Sequence, residues 1–353
     1  ANATGSSENF SLSGSFDYYA LDTTPTAWVG SGSSITTILN TTPTWVLNLY
    51  NGNQATFGEG VDVHAMSDLA SVTVAGNITP LLGGTGSDTG AAVGGSLTLM
   101  KSSTSTIAGI GDNAVISVAA NTAVTVTADT HDTVFTVAPS SGKAATTGLS
   151  GIASAVQIDN TTHASISDSA EVTGSSVNIS ATQELSLMSV SAAVTVSRGS
   201  AVGLSVAALV ANTDTAAFVG PNHADITGVA PQDDPTQVTR SAGYVHSTAL
   251  NVAATTSGRL YAVSAAAAVQ DPTPSTPMSE QLKAMGNILT DGSVAGVMAA
   301  AGGLAASTSQ SAGPSGLSLQ ISGSSSVTDV SLDTRAYISG ARLDTNGVEQ
   351  TVT

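Results

Sequence analysis

Cysteine is absent from all 353 residues, which excludes disulfide stapling, thiol catalysis and cysteine-ligated metal. Basic residues are scarce too: eight Lys and Arg, scattered along the chain, oppose 25 Asp and Glu for a formal net charge of −17. Nucleic acid and anionic lipid require clustered cations, so neither is expected as a partner. Charged residues amount to 9% and aromatics to 4%, against about 25% charged in an ordinary globular domain. Long apolar runs are missing as well. The longest, Val294 to Ala306, is broken by Gly296, Gly302 and Gly303 and falls short of the ~20 residues of a membrane-spanning helix.

What fills the chain instead is Ala, Ser, Thr, Val and 36 Gly, with 41% hydrophobic residues overall, enough for a core. Small and β-branched residues favour strands with thin inward side chains, and hydroxyls then replace charges on the outward face. A narrow, stacked β core is expected. An Asn-, Ser- and Thr-rich chain without cysteine has the composition of exported bacterial or archaeal proteins. The first residue, Ala1, is compatible with signal-peptide cleavage or with an excised fragment.

Two short patterns recur in fixed order. The first is a Thr or neighbouring polar residue followed by Ala, any residue and a β-branched residue, as in Thr26-Ala27-Trp28-Val29-Gly30, Thr106 to Gly111, Thr162 to Ile166, Thr215 to Gly220 and Thr334 to Gly340. The second alternates apolar residues and closes on Ala, in Val61 to Ala65, Val124 to Ala128, Val177 to Ala181 and Leu250 to Ala254. An Ala-rich apolar element follows in Leu185 to Val196 and Leu260 to Val269, then a Gly-led strand at Gly203 and at Gly316. The marker alanines 27, 108, 164, 217 and 336 are spaced by 81, 56, 53 and 119 residues. A unit of about 55 residues with insertions on one side of a stacked body accounts for this.

The alternation has period 2 in segments of 4 to 8 residues between Gly, Asn, Asp or Ser, which is the strand signal. Residues 1–353 therefore read as one all-β parallel β-helix, or β-solenoid. A loop insertion is expected at 228–240. A Pro-rich loop plus a short helical insertion is expected at 271–315, where Thr276 can cap a helix with Pro277 at its first position and Met278, Leu282, Met285 and Leu289 on one face. That helix is expected to lie over the repeats.

The units, with Thr-x-Ala-x-Ile followed by Val177-Asn178-Ile179-Ser180-Ala181-Thr182 and an Ala/Val-rich strand, resemble the β-helix repeats of large bacterial surface adhesins of the filamentous-haemagglutinin and autotransporter-passenger type. The resemblance covers most of residues 10–353 and is clearest from Gly151 to Val269. It implies a right-handed parallel β-helix, secretion to the bacterial cell surface, and adhesion to other cells, glycans or surface proteins without catalytic residues. The low charge raises a second reading, a subunit that packs against copies of itself in a filament, sheath or surface layer.

No catalytic, cofactor-binding or metal residue is assigned, and each candidate has a simpler account. Asp129, His131 and Asp132 could form a metal or acid/base group, but a solvated turn after a strand is the simpler reading. His64, His163, His223 and His246 have no common spacing and no His-Glu-x-x-His signature. Asp233 and Asp234 near Arg240 are what a β-helix polysaccharide lyase would need, yet they sit in a Pro-flanked loop. Leu82 to Gly90 lacks the Lys of a phosphate loop and the repeated register of a calcium nonapeptide. Asn2, Asn9, Asn40, Asn77, Asn160 and Asn178 begin sequons expected by chance. Tyr18, Tyr19, Trp28, Trp45 and Tyr50 gather near the N-terminus and either cap the core or stack on sugar rings.

Overall fold

The computed structural model describes residues 2–6, 10–37, 60–76, 90–119, 121–167, 169–220, 243–270, 319–339, 341–345 and 348–352. The regular elements among them are all strands, and no helix among the described residues is long and apolar enough to cross a membrane. The expected loop at 228–240 and the expected helical insertion at 271–315 lie outside the described residues.

In chain order the strands pass back and forth, singly or in short runs, between two sheets. Sheet A holds β1 (Asn2–Ser6), β2 (Phe10–Thr23), β3 (Thr26–Val29), β6 (Ala91–Ile110), β9 (Thr147–Ile166), β11 (Ser200–Val219) and β13 (Gln320–Ile338). Sheet B holds β4 (Ser34–Thr36), β5 (Val61–Val74), β7 (Val115–Ser117), β8 (Ala123–Ala144), β10 (Glu171–Ser197), β12 (Gly243–Gln270), β14 (Ala341–Thr345) and β15 (Val348–Val352). Sheet A runs β1-β2-β6-β9-β11-β13 with β3 beside β6. Sheet B runs β15-β14-β12-β10-β7-β4, with β8 between β10 and β5. Neighbours are parallel, apart from the terminal β1 on β2 and β15 on β14. Parallel strands need a crossover, and here the crossover is a strand of the facing sheet.

The repeats set the register. Ala27, Ala108, Ala164, Ala217 and Ala336 stand side by side across sheet A. Ala65, Ala128, Ala181 and Ala254 do the same across sheet B. A slip of one residue would turn every inward side chain outward, so the connection lengths vary while the pairing does not. The Gly-led strands do not correspond as the sequence suggested, because Gly203 stands opposite Ser322 and not Gly316.

Strand length also departs from expectation. β10 runs for 27 residues and β12 for 28, not 4 to 8. The small residues read as breaks continue the ladder, since they pair with residues of the next strand, as Asn178 does with Asn251 and Gly258 with Leu185. Each unit is therefore wide. A 20-residue strand such as β9 has a contour of about 66 Å at ~3.3 Å per residue.

At one bend the chain passes from sheet A to sheet B through stacked turns, closed by Ser33 N–H to Gly30 O, Ala114 N–H to Gly111 O and Ala170 N–H to Ser167 O at 3.2–3.3 Å. The third residue is left-handed in the first two, Gly32 at φ 72° and Asn113 at φ 56°, a conformation that Gly and Asn tolerate. At the opposite bend Gly199 has no room for a side chain, because its Cβ would lie 2.2 Å from the Thr146 carbonyl oxygen.

The core is banded. Nearest the first bend an apolar cluster includes Ala108, Ile110, Ile116, Val126, Ile166 and Ile179, and further along a second includes Met100, Val134, Ile158, Leu185 and Leu209. Between them the sheets meet through hydroxyls. Thr130 donates to Thr106 at 2.7 Å and lies 2.8 Å from Thr162, which donates to Gln183. Thr334, Thr256 and Thr215 continue the line at 2.8 Å. Beyond the second cluster the interior is largely polar again, with Ser154 on Ser189, Ser191 on Ser205 and Ser150 on Thr195 around a small apolar cluster of Ala138, Ile152 and Ala193. The alternate positions there hold Met188, Val190, Ala192 and Val194, which are buried as well. The expectation of hydroxyls outside thus holds for only part of each strand.

Candidate functional site

Asp129, His131 and Asp132 do not form a turn. They lie inside β8, Asp129 and His131 on the outer face and Asp132 in the core. On that outer face His64 of β5 meets Asp129, Nε2 to Oδ2 at 3.0 Å. The hydrogen bond to Asp129 holds the His64 imidazole above its ordinary range, against partial burial, with the charges of Asp129 and Asp62 adding to it. Burial pushes the Asp129 carboxyl up, but hydrogen bonds from His64 and Thr182 outweigh it and hold the group below the usual carboxylate range. Burial raises Asp62 in turn, opposed by His64.

A second pair lies on the outer face of sheet A. His163 Nε2 is 3.2 Å from Asp214 Oδ2, and Arg335 of the next strand donates to the other Asp214 oxygen. Burial lowers the pKa of His163 more than Asp214 raises it. The ring of His163 meets Phe218 edge-on at 6.1 Å, and Phe218 stacks on Tyr337 at 5.2 Å and 3°. In a third group His246 Nδ1 lies 2.8 Å from Asp344, which also accepts from Tyr244 at 3.2 Å.

Three of the four scattered histidines thus take a carboxylate from a neighbouring strand. The sequence signal was there but long-range: once register is known, each Asp sits directly opposite its His or two residues from that position. These pairs pin neighbouring strands. Among the described residues no three His, Asp or Glu side chains are arranged to hold a metal ion.

Asp132 is 1% exposed, accepts a hydrogen bond from Asn160 Nδ2, and has its carboxyl raised by burial against that bond. Asn160 is itself in the core, so its sequon faces no solvent. Tyr18 and Tyr19 point to opposite faces of β2 and do not make one platform. Trp28 lies against the next strand, and a Cβ at Gly109 would stand 2.2 Å from its ring. His223, Asp233, Asp234, Arg240, residues 82–89, Asn9, Asn40, Asn77, Trp45 and Tyr50 lie outside the described residues.

The His64 pair makes a pH prediction. Its raised pKa contributes stability that is fully present below about pH 6.5 and is lost as pH rises through the folded value. Replacing Asp129 by Asn should move the NMR titration of His64 back down. An unchanged midpoint would show that Asp129 does not set it.

No family model, curated protein or solved structure matches this chain.

Proposed function

We propose that the chain is a right-handed parallel β-solenoid that serves, outside a bacterial cell, as a structural and adhesive surface for contact with other cells, glycans or surface proteins. The observation that carries this reading is the alignment of marker alanines across both sheets although the chain between them varies from 53 to 119 residues. A body built this way takes insertions without changing its strands, and each unit is stabilised by contact with its neighbours alone. That suits display of variable connections from a regular support. A second reading, a subunit that packs against copies of itself, is favoured by the exposed Leu149, Leu204, Val206 and Val327 on sheet A.

The test is removal of one whole unit, residues 147–199, from a chain displayed on cells, alongside His131→Ala and His163→Ala. The shortened chain should keep its strand signal by circular dichroism and its cooperative melt, and all three variants should keep cell or glycan attachment. Collapse of the shortened chain argues against a stack of equivalent units. Loss of attachment in a folded His→Ala variant argues for site chemistry.

A further inference from the structure

The outer face of sheet A is apolar over the first half of its long strands. Over residues 91–99, 147–155, 200–208 and 321–327 no charged residue is present on that face. The cause lies inside. At this end the sheets approach so closely that a Cβ at Gly94 would stand 2.7 Å from the Ser141 carbonyl oxygen, and one at Gly203 2.7 Å from that of Ala267. Little room is left between the sheets, where Ile152 packs on Ala138 and Ala193, and most of the larger apolar residues stand outside.

They form columns across the sheet. Leu12, Val93, Leu149, Val202 and Ile321 stand in register, one from each of five strands. Two residues on, Gly14, Gly95, Gly151 and Gly323 make a trough, interrupted at β11 by Leu204, which is 48% exposed. Beyond the trough come Leu97, Ala153 and Val206.

The internal packing does not require these glycines. A Cβ at Gly151 would meet nothing within 4 Å, the nearest atom to one at Gly95 is 3.8 Å away, and none of the four has positive φ. Glycine within a strand weakens it, and without a local need it marks the close approach of something else. Parallel sheets are also normally covered on both faces.

We propose that this face is a dimer interface, in which a second copy of the chain lays its own sheet A face to face about a two-fold axis and each Leu204 enters the partner's glycine trough near Gly151 and Gly95. A two-fold interface needs a patch complementary to itself, and Leu204 and the trough are a knob and a hole on one patch. Uncharged residues throughout fit another uncharged face. Five strands at ~4.8 Å and about nine residues at ~3.3 Å cover roughly 700 Å², close to the ~800 Å² per partner of a standard stable interface. The inference rests on the self-packing reading above and names its surface.

Sedimentation velocity of the full chain over a concentration series tests it, with Gly151→Val, Leu204→Asp and, as a control on sheet B, Val72→Asp. The chain should sediment as a dimer. Gly151→Val and Leu204→Asp should weaken association at least tenfold, and Val72→Asp should not. Gly151→Val is the decisive variant, because a β-branched side chain in open space on a strand should leave the strand signal and a cooperative melt intact while the dimer is lost. A monomer at every concentration, or a dimer that survives both sheet A substitutions, overturns the interface. So does a monomer that binds phosphatidylcholine vesicles or crystalline cellulose in a manner abolished by Gly151→Val, since the face would then belong to another partner. In each of these cases an intact strand signal and the tolerated removal of residues 147–199 leave the stacked-unit reading standing.

Discussion

Ile179→Asp is expected to abolish cooperative folding. Ile179 is fully buried in β10, in register between Val126 and Val252 and inside the apolar cluster at the first bend. Truncating a buried Ile costs about 2–5 kcal/mol, and an unpaired buried carboxylate adds several more. The sum is comparable with the entire ~5–15 kcal/mol that holds a domain folded. Because β10 is a central strand of sheet B, the lesion uncouples β8 from β12. Ile179→Val, by contrast, should cost only about 0.5–1.5 kcal/mol. Urea titration followed by circular dichroism reads both, and an Ile179→Asp midpoint close to that of the parent would contradict the inward assignment of this pattern.

Asp132→Asn is expected to stabilise the protein at neutral pH. The carboxyl lies in the core, between Leu69 and Leu185 in its own sheet, with Asn160 Nδ2 as its donor. Asp132 Oδ1 and Asn160 Oδ1 have no hydrogen-bond partner. An amide at 132 keeps the acceptor for Asn160 and brings a donor that can satisfy the free Asn160 oxygen, while removing the buried charge.

The pH dependence has a definite sign. A carboxyl whose folded pKa is raised costs stability that is fully felt above the folded value and vanishes below the unfolded value of about 3.9. The advantage of Asp132→Asn should therefore be about 1–3 kcal/mol at pH 7 and should fade as pH falls towards 3.9. Chemical denaturation at pH 7 and pH 3.5 measures it. Destabilisation at pH 7 would mean that the ionised group is needed where it sits, and would make Asp132 a functional candidate.

The histidine pairs show what was hidden in the sequence. His64 and Asp129 are 65 residues apart, and His246 and Asp344 are 98 apart. Nothing local marks them as partners until strands are laid side by side. The reverse holds for the alanine markers, whose spacing translates directly into register because each occupies the same place in its unit. The first core cluster was equally legible: Val177, Ile179 and Ala181 alternate with polar residues, and all three are fully buried.

The third element was legible only in part. In Leu185 to Val196 two alternating sets compete, and the apolar character crosses from the inner set to the outer after Leu187, while Ser189 and Ser191 turn in. Period 2 separates two faces without saying which is inside. The sequence alone therefore determined that the chain is built of strands, that its units recur and which residues share a column, because propensity, alternation and spacing are properties of the chain itself. Only the tertiary structure decided which face is interior beyond Leu187 and that Asp132 lies in the core. Those outcomes depend on the distance between the two sheets, and that distance exists only after the bends at Gly111 and Gly199 have brought one sheet over the other.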